Sequence, residues 1–199
     1  MTGWDLQLFW HINRDWTCGW LDYAMPVLSA IDAWLPVLAL LLIVALWRGG
    51  KRVRWMMLSL VLALVVSDAV VGKSLKKLAG RVRPRDAMSG VVIRDVARAK
   101  PTFLALFKPT TRKLSEVTKP AREGNSLPSN HTLNMFAAAT VIALWFRRWG
   151  VAMYGLAAAV AYSRIYVGAH WPSDVVVSMG LGVLIGLGAV AVVRSRASA

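Results

Sequence analysis

Two histidines stand in surroundings that suit nucleophilic or acid–base chemistry, and His170 has the more telling neighbours. Asp174 follows four residues later, and Pro172 between them suits the first turn of a helix. If Trp171 caps that helix, the Asp174 carboxylate can reach back toward the imidazole, as in a capping box. A carboxylate on one imidazole nitrogen leaves the other free as a nucleophile or base. The alternative is that Asp174 only caps the helix and His170 is an ordinary interfacial residue.

Three basic residues could hold a phosphate group. Arg164 precedes His170 and carries a planar fork of donors that suits phosphate oxygens. Lys76 and Arg83 are separated by six residues, and Arg83 precedes Pro84. The alternative is that Arg164 snorkels from a helix end and that the other two belong to a juxtamembrane basic cluster. Further bases lie close by in the sequence: Lys73, Lys77, Arg81 and Arg85.

The second histidine, His131, closes the segment Pro128-Ser129-Asn130-His131 at the start of an apolar run. Ser129 and Asn130 would lie at a helix start, where free backbone N–H groups and the macrodipole favour an anion. The Asn130 amide could also donate to a phosphate. Ser129 could equally be a simple helix cap, and the two roles are compatible.

Together these three segments resemble the three-part signature of the type 2 phosphatidic acid phosphatase superfamily. That superfamily includes membrane lipid phosphatases, bacterial acid phosphatases and vanadium haloperoxidases. The resemblance covers roughly residues 76–174, in the right order and spacing. It departs at Asn130, where the family usually has Gly or Ser. Asn tolerates unusual backbone angles better than most residues, so the substitution is mild.

The resemblance implies a role for each residue. His170 would attack phosphorus and form a phosphohistidine, with Asp174 orienting it, and His131 would protonate the leaving oxygen and later activate water. Imidazole titrates near pH ~6.5 and suits both tasks. The phosphate would be bound by Lys76, Arg83, Ser129, Asn130 and Arg164. The sequence shows no metal-ligand spacing, so neither a metal nor another cofactor is expected.

The composition indicates a membrane protein. The chain has 199 residues, of which 57% are hydrophobic, and a formal net charge of +14. Its mean hydropathy is +0.51, which is rare for a soluble domain. The bases gather between apolar runs, which favours anionic headgroups over nucleic acid as the partner. A soluble haloperoxidase is therefore not expected. The sequence gives no indication of oligomeric state.

The apolar runs predict an all-α, polytopic bundle with an acid-phosphatase-like core, forming a single domain over residues 1–199. Five spans are expected. Their predicted bounds are 26–47, 55–71 with a helical continuation to 80, 132–146, 150–167 and 175–193. Residues 3–24 mix tryptophans with charges, which predicts an interfacial helix or, nearly as well, a helix packed across the bundle. Gly182 and Gly186 are interpreted as helix-packing positions.

Residues 85–127 form a polar insert, in which short helices are predicted at 91–99 and 103–107. A connection of this length is usually functional or disordered. The five crossings bring all three motifs to one membrane face. Short basic turns mark the other face, which predicts a multi-pass protein of the inner (plasma) membrane with an extracytoplasmic site and a cytoplasmic C-terminus. Asp68 lies late in the second span, where a charged residue is a candidate for function. A partner such as Lys73 or Arg164 would equally make it structural.

The sequence therefore predicts a membrane phosphatase for a lipid phosphate or diphosphate. Undecaprenyl or another polyprenyl diphosphate is the favoured substrate. Phosphatidylglycerophosphate, phosphatidate and lipid A 1-phosphate remain as alternatives. A lipid-binding or transport protein is the alternative from another class. It is weakened because both histidines and Asp174 are present.

Overall fold

The long apolar runs form helices, and basic or glycine-containing turns separate them. The structure is a computed structural model that describes residues 3–118, 121 and 123–197, so both ends of the predicted domain lie outside the described residues. The helices are α1 Gly3–Trp10, α2 Gly19–Ser29, α3 Ile31–Arg48, α4 Lys51–Val65, α5 Lys73–Ala79, α6 Pro84–Ala87, α7 Asn130–Trp145, α8 Arg147–Tyr166 and α9 Pro172–Ala197. Two π-helical turns, His11–Asp15 and Val66–Gly72, follow α1 and join α4 to α5.

The predicted helical bundle is confirmed. Among the described residues, three helical stretches are long and apolar enough to cross a membrane: Ile31–Arg48, Lys51–Ala87 and Pro172–Ala197. The helices α7 and α8, of 16 and 20 residues, pack against each other and against α9, and α7 also packs against α4. The first span begins later than predicted, because the helix is interrupted at Ala30. Asp32 consequently lies in the first turn of α3, where a carboxylate suits the positive end of the helix dipole.

The bundle is centred on α7, which packs against α4, α8 and α9. Two glycines of α9 permit its close approach. A Cβ at Gly182 would lie 2.5 Å from the Leu133 carbonyl oxygen, and one at Gly186 would lie 2.7 Å from Cβ of Thr140. The predicted packing role of these glycines is confirmed.

The polar insert is not helical where a helix was predicted at 91–99. Val92–Val96 forms strand β1, which pairs antiparallel with β2, Thr110–Leu114. The β-branched residues of β1 suit this conformation, and Val92 is almost fully buried against the bundle. A 3₁₀ helix over Thr102–Phe107 lies close to the second prediction, 103–107.

The N-terminal segment packs against the bundle and also exposes indole rings. Phe9 is fully buried, and its ring centroid lies 5.3 Å from that of Trp171. Trp4, Trp16 and Trp20 are each more than half exposed, as expected for rings at headgroup depth. The predicted packing against the bundle is confirmed, and the interfacial position stays a prediction.

The basic turns meet at the end of the bundle away from the motifs. Arg52 donates to the carbonyl oxygen of Trp145, and Arg194 donates to that of Leu144 at 2.6 Å. Both carbonyls belong to the last turn of α7, where helical partners are missing and positive charge is favourable. Three sequence-distant basic segments thus share one face, as predicted.

Candidate active site

The three motif segments meet at one end of the bundle. Gly80 ends α5 in a left-handed conformation, with φ of 53°, and turns the chain toward Arg81. The segment before α7 runs beside it, because Gly124 and Ser126 donate their N–H groups to the carbonyls of Gly80 and Arg81 at 3.0 and 2.8 Å. Trp171 joins the third segment through an indole N–H bond of 2.8 Å to the Val82 carbonyl.

His170 is oriented by a backbone carbonyl, which corrects the predicted contact with Asp174. Nδ1 of His170 lies 2.6 Å from the Ser126 carbonyl oxygen and 3.9 Å from Oδ2 of Asp174. The longer distance exceeds that of a hydrogen bond. Because a carbonyl only accepts, Nδ1 carries the proton and Nε2 keeps a lone pair. The imidazole is thus held as a nucleophile requires, although not by the expected group.

Asp174 acts on His170 through Ser126. One carboxylate oxygen accepts the Trp171 N–H at 3.0 Å, which is the predicted capping contact, and the Ser126 hydroxyl at 2.5 Å. The carboxylate therefore fixes the residue whose carbonyl holds the imidazole. Its other oxygen accepts a 2.5 Å hydrogen bond from Arg81.

Arg81 links Asp174 to the first helix of the chain. Its second terminal nitrogen lies 2.5 Å from Oδ2 of Asp5. Asp5 also accepts the N–H and hydroxyl of Ser173, at 2.9 and 2.8 Å. The side chains of Asp5 and Asp174 are 1% and 0% exposed. A buried network therefore runs from α1 to the loop that carries His170.

The other end of the loop that carries His170, where α8 ends, is anchored to the hairpin formed by β1 and β2. Asn13 donates to the carbonyl oxygens of Val92 and Tyr166 at 2.9 and 2.8 Å, and accepts the Val92 N–H at 2.9 Å. Gly168, with φ of 76°, turns the chain so closely to β1 that a Cβ would lie 2.7 Å from a methyl group of Val91. Glycine adopts this conformation without strain.

Three cations gather around the two histidines. Arg164, Lys76 and Arg83 lie close enough to His131 to act on it electrostatically, and Arg164 and Arg83 act in the same way on His170. Among the described residues, no carboxylate forms an ion pair with any of the three. The Nε atom of Arg164 is buried without a hydrogen-bond partner. These cations therefore suit a bound anion such as phosphate.

Burial lowers the pKa of His170 well below its ordinary value, and the positive charges of Arg164 and Arg83 lower it further. The hydrogen bond to Ser126 opposes this shift. His170 is consequently neutral near pH 7, and only its neutral form can attack phosphorus.

Ser129 and Asn130 are committed to other groups. Ser129 is fully buried, its N–H donates to the Ser178 hydroxyl at 2.8 Å, and its own hydroxyl accepts from Thr132. The Asn130 amide donates to Asp68 at 2.7 Å. These bonds occupy the Ser129 N–H and one donor of the Asn130 amide, and phosphate binding by the two residues stays a prediction. Their place at the start of α7 still leaves its first N–H groups without helical partners.

Asp68 finds its partners in side-chain amides. Besides Asn130, it accepts the Asn134 amide at 3.1 Å. The π-helical turn Val66–Gly72 brings Asp68 to the start of α7, and a Cβ at Gly72 would lie 3.1 Å from the Asn130 amide. Lys73 and Arg164, the partners considered from sequence, do not pair with it among the described residues.

The described part of the chain brings together no group of three or more histidine, cysteine, aspartate or glutamate side chains that could hold a metal ion. Metal independence stays a prediction.

Sequence reasoning missed three residues of the site. Arg81 was treated only as one of several neighbouring bases, and Asp5 and Ser126 were not considered. Arg81 lies within the first motif, but its type and spacing do not distinguish it from Lys77 or Arg85. In the part of the chain that the structure describes, Arg81 is the one base that pairs with two buried carboxylates, and only the fold shows this.

Known proteins share both the fold and the sequence pattern. The crystal structure of Aquifex aeolicus LpxE superposes with a TM-score of 0.66 over 96% of both chains, at 22% identity. An undecaprenyl-diphosphatase of Sulfolobus acidocaldarius is 31% identical over 185 residues, which cover 90% of this chain and 74% of the relative. The bacitracin transport permease protein BcrC of Bacillus licheniformis is 32% identical over 167 residues, covering 82% and 70%.

The membrane-length helices together with these relatives indicate an integral-membrane phosphatase of lipid phosphates. The sequence pattern of the PAP2 superfamily matches residues 52–198. The chain belongs to this family, and the predicted resemblance is confirmed.

Proposed function

We propose that the protein hydrolyses a polyprenyl diphosphate, such as undecaprenyl diphosphate, through a phosphohistidine on His170. The observation that carries this proposal is the cluster of Lys76, Arg83 and Arg164, which lack carboxylate partners among the described residues. The cluster surrounds an imidazole whose Nε2 lone pair is free. The undecaprenyl-diphosphatase of Sulfolobus acidocaldarius supports the choice of substrate.

The reaction has two steps. Nε2 of His170 attacks the terminal phosphorus, the bond to the bridging oxygen breaks, and the polyprenyl phosphate leaves with the bonding electrons. Burial and the neighbouring cations lower the pKa of His131 to about 4, and the bound diphosphate offsets the cations. His131 therefore enters the step protonated, donates its proton to that oxygen and is left neutral. His131 then takes a proton from water, which attacks the phosphohistidine and releases inorganic phosphate. The three cations stabilise the charge on the equatorial oxygens in both steps.

The test is phosphate release by the purified protein in detergent micelles from a panel of lipid phosphates and diphosphates. We expect the diphosphate to be hydrolysed fastest and His170→Ala to lose several orders of magnitude in rate. A variant that keeps more than about a tenth of the activity, roughly 1.4 kcal/mol of barrier, would contradict the nucleophile assignment. If phosphatidate, phosphatidylglycerophosphate or lipid A 1-phosphate were hydrolysed faster, that lipid would take the place of polyprenyl diphosphate as the proposed substrate.

The transport alternative is tested by the same assay. The name of the Bacillus licheniformis relative, a bacitracin transport permease protein, favours it. A transport or lipid-binding protein would bind the diphosphate without releasing phosphate, and His170→Ala would leave that binding unchanged.

We also propose that no metal takes part, because protein cations and helix N–H groups meet the phosphate charge. Activity should then survive excess EDTA, and vanadate should inhibit by imitating five-coordinate phosphorus. Loss of activity in EDTA that magnesium restores would contradict the proposal.

The catalytic end is proposed to face outward from the inner membrane, with the C-terminus in the cytoplasm. Cys18 is exposed, and it lies near Tyr162 and Tyr166 at the catalytic end. A membrane-impermeant maleimide should therefore label the wild type in intact cells. It should spare a Cys18→Ser variant that carries Ser195→Cys at the exposed opposite end. The reverse pattern would turn the site toward the cytoplasm.

A further inference from the structure

A cavity of about 680 Å³ opens beside the catalytic cluster. It lies between the α2–α3 junction and the part of the insert that follows β1. Ser29, at the end of α2, is held to α8 by a 2.8 Å hydrogen bond to Ser163, which fixes one wall. The cavity exceeds the size of a phosphate group and falls within the range of sites for small organic molecules.

The cavity lies on the leaving-group side of the reaction. Its lining includes His131 and Arg164 but not His170, whose side chain is only 3% exposed. In phosphoryl transfer the attacking and leaving groups lie roughly in line on opposite sides of phosphorus. The part of the substrate that departs from His170 therefore enters this cavity.

The insert supplies the cavity with positive charge. Arg98, Lys100 and Lys108 line it. Within the described part of the chain, none of the three forms an ion pair or a side-chain hydrogen bond. Two carboxylates, Asp32 and Asp95, also line the cavity, but with Arg164 the guanidinium and ammonium groups outnumber them by four to two. The alcohol that leaves from a monophosphate would not interact with this excess positive charge, whereas the phosphate that leaves from a diphosphate would.

We propose that this cavity binds the phosphate of an anionic leaving group, so that the insert makes the enzyme selective for diphosphates over monophosphates. The inference rests on the proposed function, because it takes His170 as the nucleophile and His131 as the acid. Attack on the terminal phosphorus breaks its bond to the bridging oxygen. The leaving polyprenyl phosphate keeps the bonding electrons, and Arg98, Lys100 and Lys108 stabilise its charge.

The neighbouring 3₁₀ helix suits a substrate with a long apolar tail. It packs against α3, which is almost entirely exposed in the structure and apolar enough to lie in the bilayer. Phe103, Leu104 and Phe107 on this helix are exposed. Apolar rings beside a membrane helix favour the interface, so a leaving group in the cavity can keep its prenyl chain in lipid.

The leaving group also changes what is required of His131. An alkoxide is a poor leaving group and needs a proton, whereas a phosphate leaves readily as an anion when cations stabilise it. Loss of His131 should therefore slow a monophosphate more than a diphosphate, while loss of the insert cations should do the opposite.

The experiment compares farnesyl monophosphate with farnesyl diphosphate, which share one chain, on the full-length protein in micelles. The test variant combines Arg98→Gln, Lys100→Gln and Lys108→Gln. The matched control combines Arg112→Gln and Lys113→Gln on the exposed strand β2. We expect the test variant to lose at least tenfold in kcat/KM for the diphosphate and less than twofold for the monophosphate. Inhibition by added farnesyl monophosphate should weaken by a similar factor.

Equal losses on both substrates, or no loss on either, would overturn the proposal. So would equal losses in the test and control variants. His131→Ala provides the opposite arm, with the larger loss expected on the monophosphate. His170→Ala run in parallel separates the two claims: full activity there refutes the proposed function, whereas inactivity there with unchanged selectivity in the test variant refutes only the cavity assignment.

Discussion

Replacing Arg81 should damage both stability and turnover, because its guanidinium joins two buried carboxylates. Asp5 and Asp174 are 1% and 0% exposed, while Arg81 is 25% exposed. Breaking a buried pair leaves an uncompensated charge and costs roughly 3–5 kcal/mol. Since water reaches part of Arg81, we expect Arg81→Met to lie near the lower limit, about 3 kcal/mol. For a chain of this size, that corresponds to a fall in Tm on the order of 6–12 °C.

The assay is thermal unfolding in micelles, with Lys77→Met as the control that removes the same charge from an exposed position. Steady-state kinetics then separate a positioning role from a purely structural one. Arg81→Met should lower kcat with little change in KM, because the cations proposed to bind phosphate are untouched. Combining it with Asp5→Asn should cost less than the sum of the single changes, since the two side chains share one contact. Wild-type stability in Arg81→Met, or strict additivity, would refute this reasoning.

Three further predictions concern the loop, the helix contact and the hairpin. Burial lowers the pKa of His170 in the folded state, so below pH ~6.5 the unfolded state binds a proton on this imidazole that the folded state does not. The free energy of unfolding of the wild type should therefore fall, relative to His170→Gln, by up to about 1.4 kcal/mol per pH unit below pH ~6.5 and stay level above it. A difference in Tm between the two proteins that is the same at about pH 5 and pH 8 would contradict this. Gly182→Leu should destabilise the α7–α9 contact, whereas Gly180→Leu should not, since a Cβ at Gly180 meets nothing within 4 Å; equal Tm values would contradict this. Asn13→Ala removes three buried hydrogen bonds and should increase amide exchange in β1 and the His170 loop, and wild-type protection there would show that Asn13 is not the anchor.

The helices and the motif residues were predictable because both depend on local information. Apolar length predicts a span, and Pro172 with Asp174 predicts a helix start that the structure confirms. The order of the spans then brings the three motifs to one end. The β-hairpin was missed because a five-residue strand is stabilised by burial against distant residues such as Asn13, which no local pattern reveals.

The partners of His170 were less predictable than its identity. The spacing to Asp174 allows a direct contact, and the distance of 3.9 Å shows how near that expectation came. The direct contact is not formed because Nδ1 of His170 donates instead to the carbonyl oxygen of Ser126, in the segment before α7. That segment is placed by backbone bonds to Gly80 and Arg81, and such bonds depend on no side-chain pattern.

The site therefore extends beyond the three motifs and beyond the matched family region, residues 52–198. Asp5 lies outside that region, yet it holds Arg81, and through Asp174 and Ser126 it is linked to His170, the proposed nucleophile. Each link in this series is a hydrogen bond between buried or half-buried groups, where a lost partner is costly. If His170 is the nucleophile, a variant of the first helix should consequently alter turnover without touching the substrate, and such a result would make α1 part of the catalytic framework.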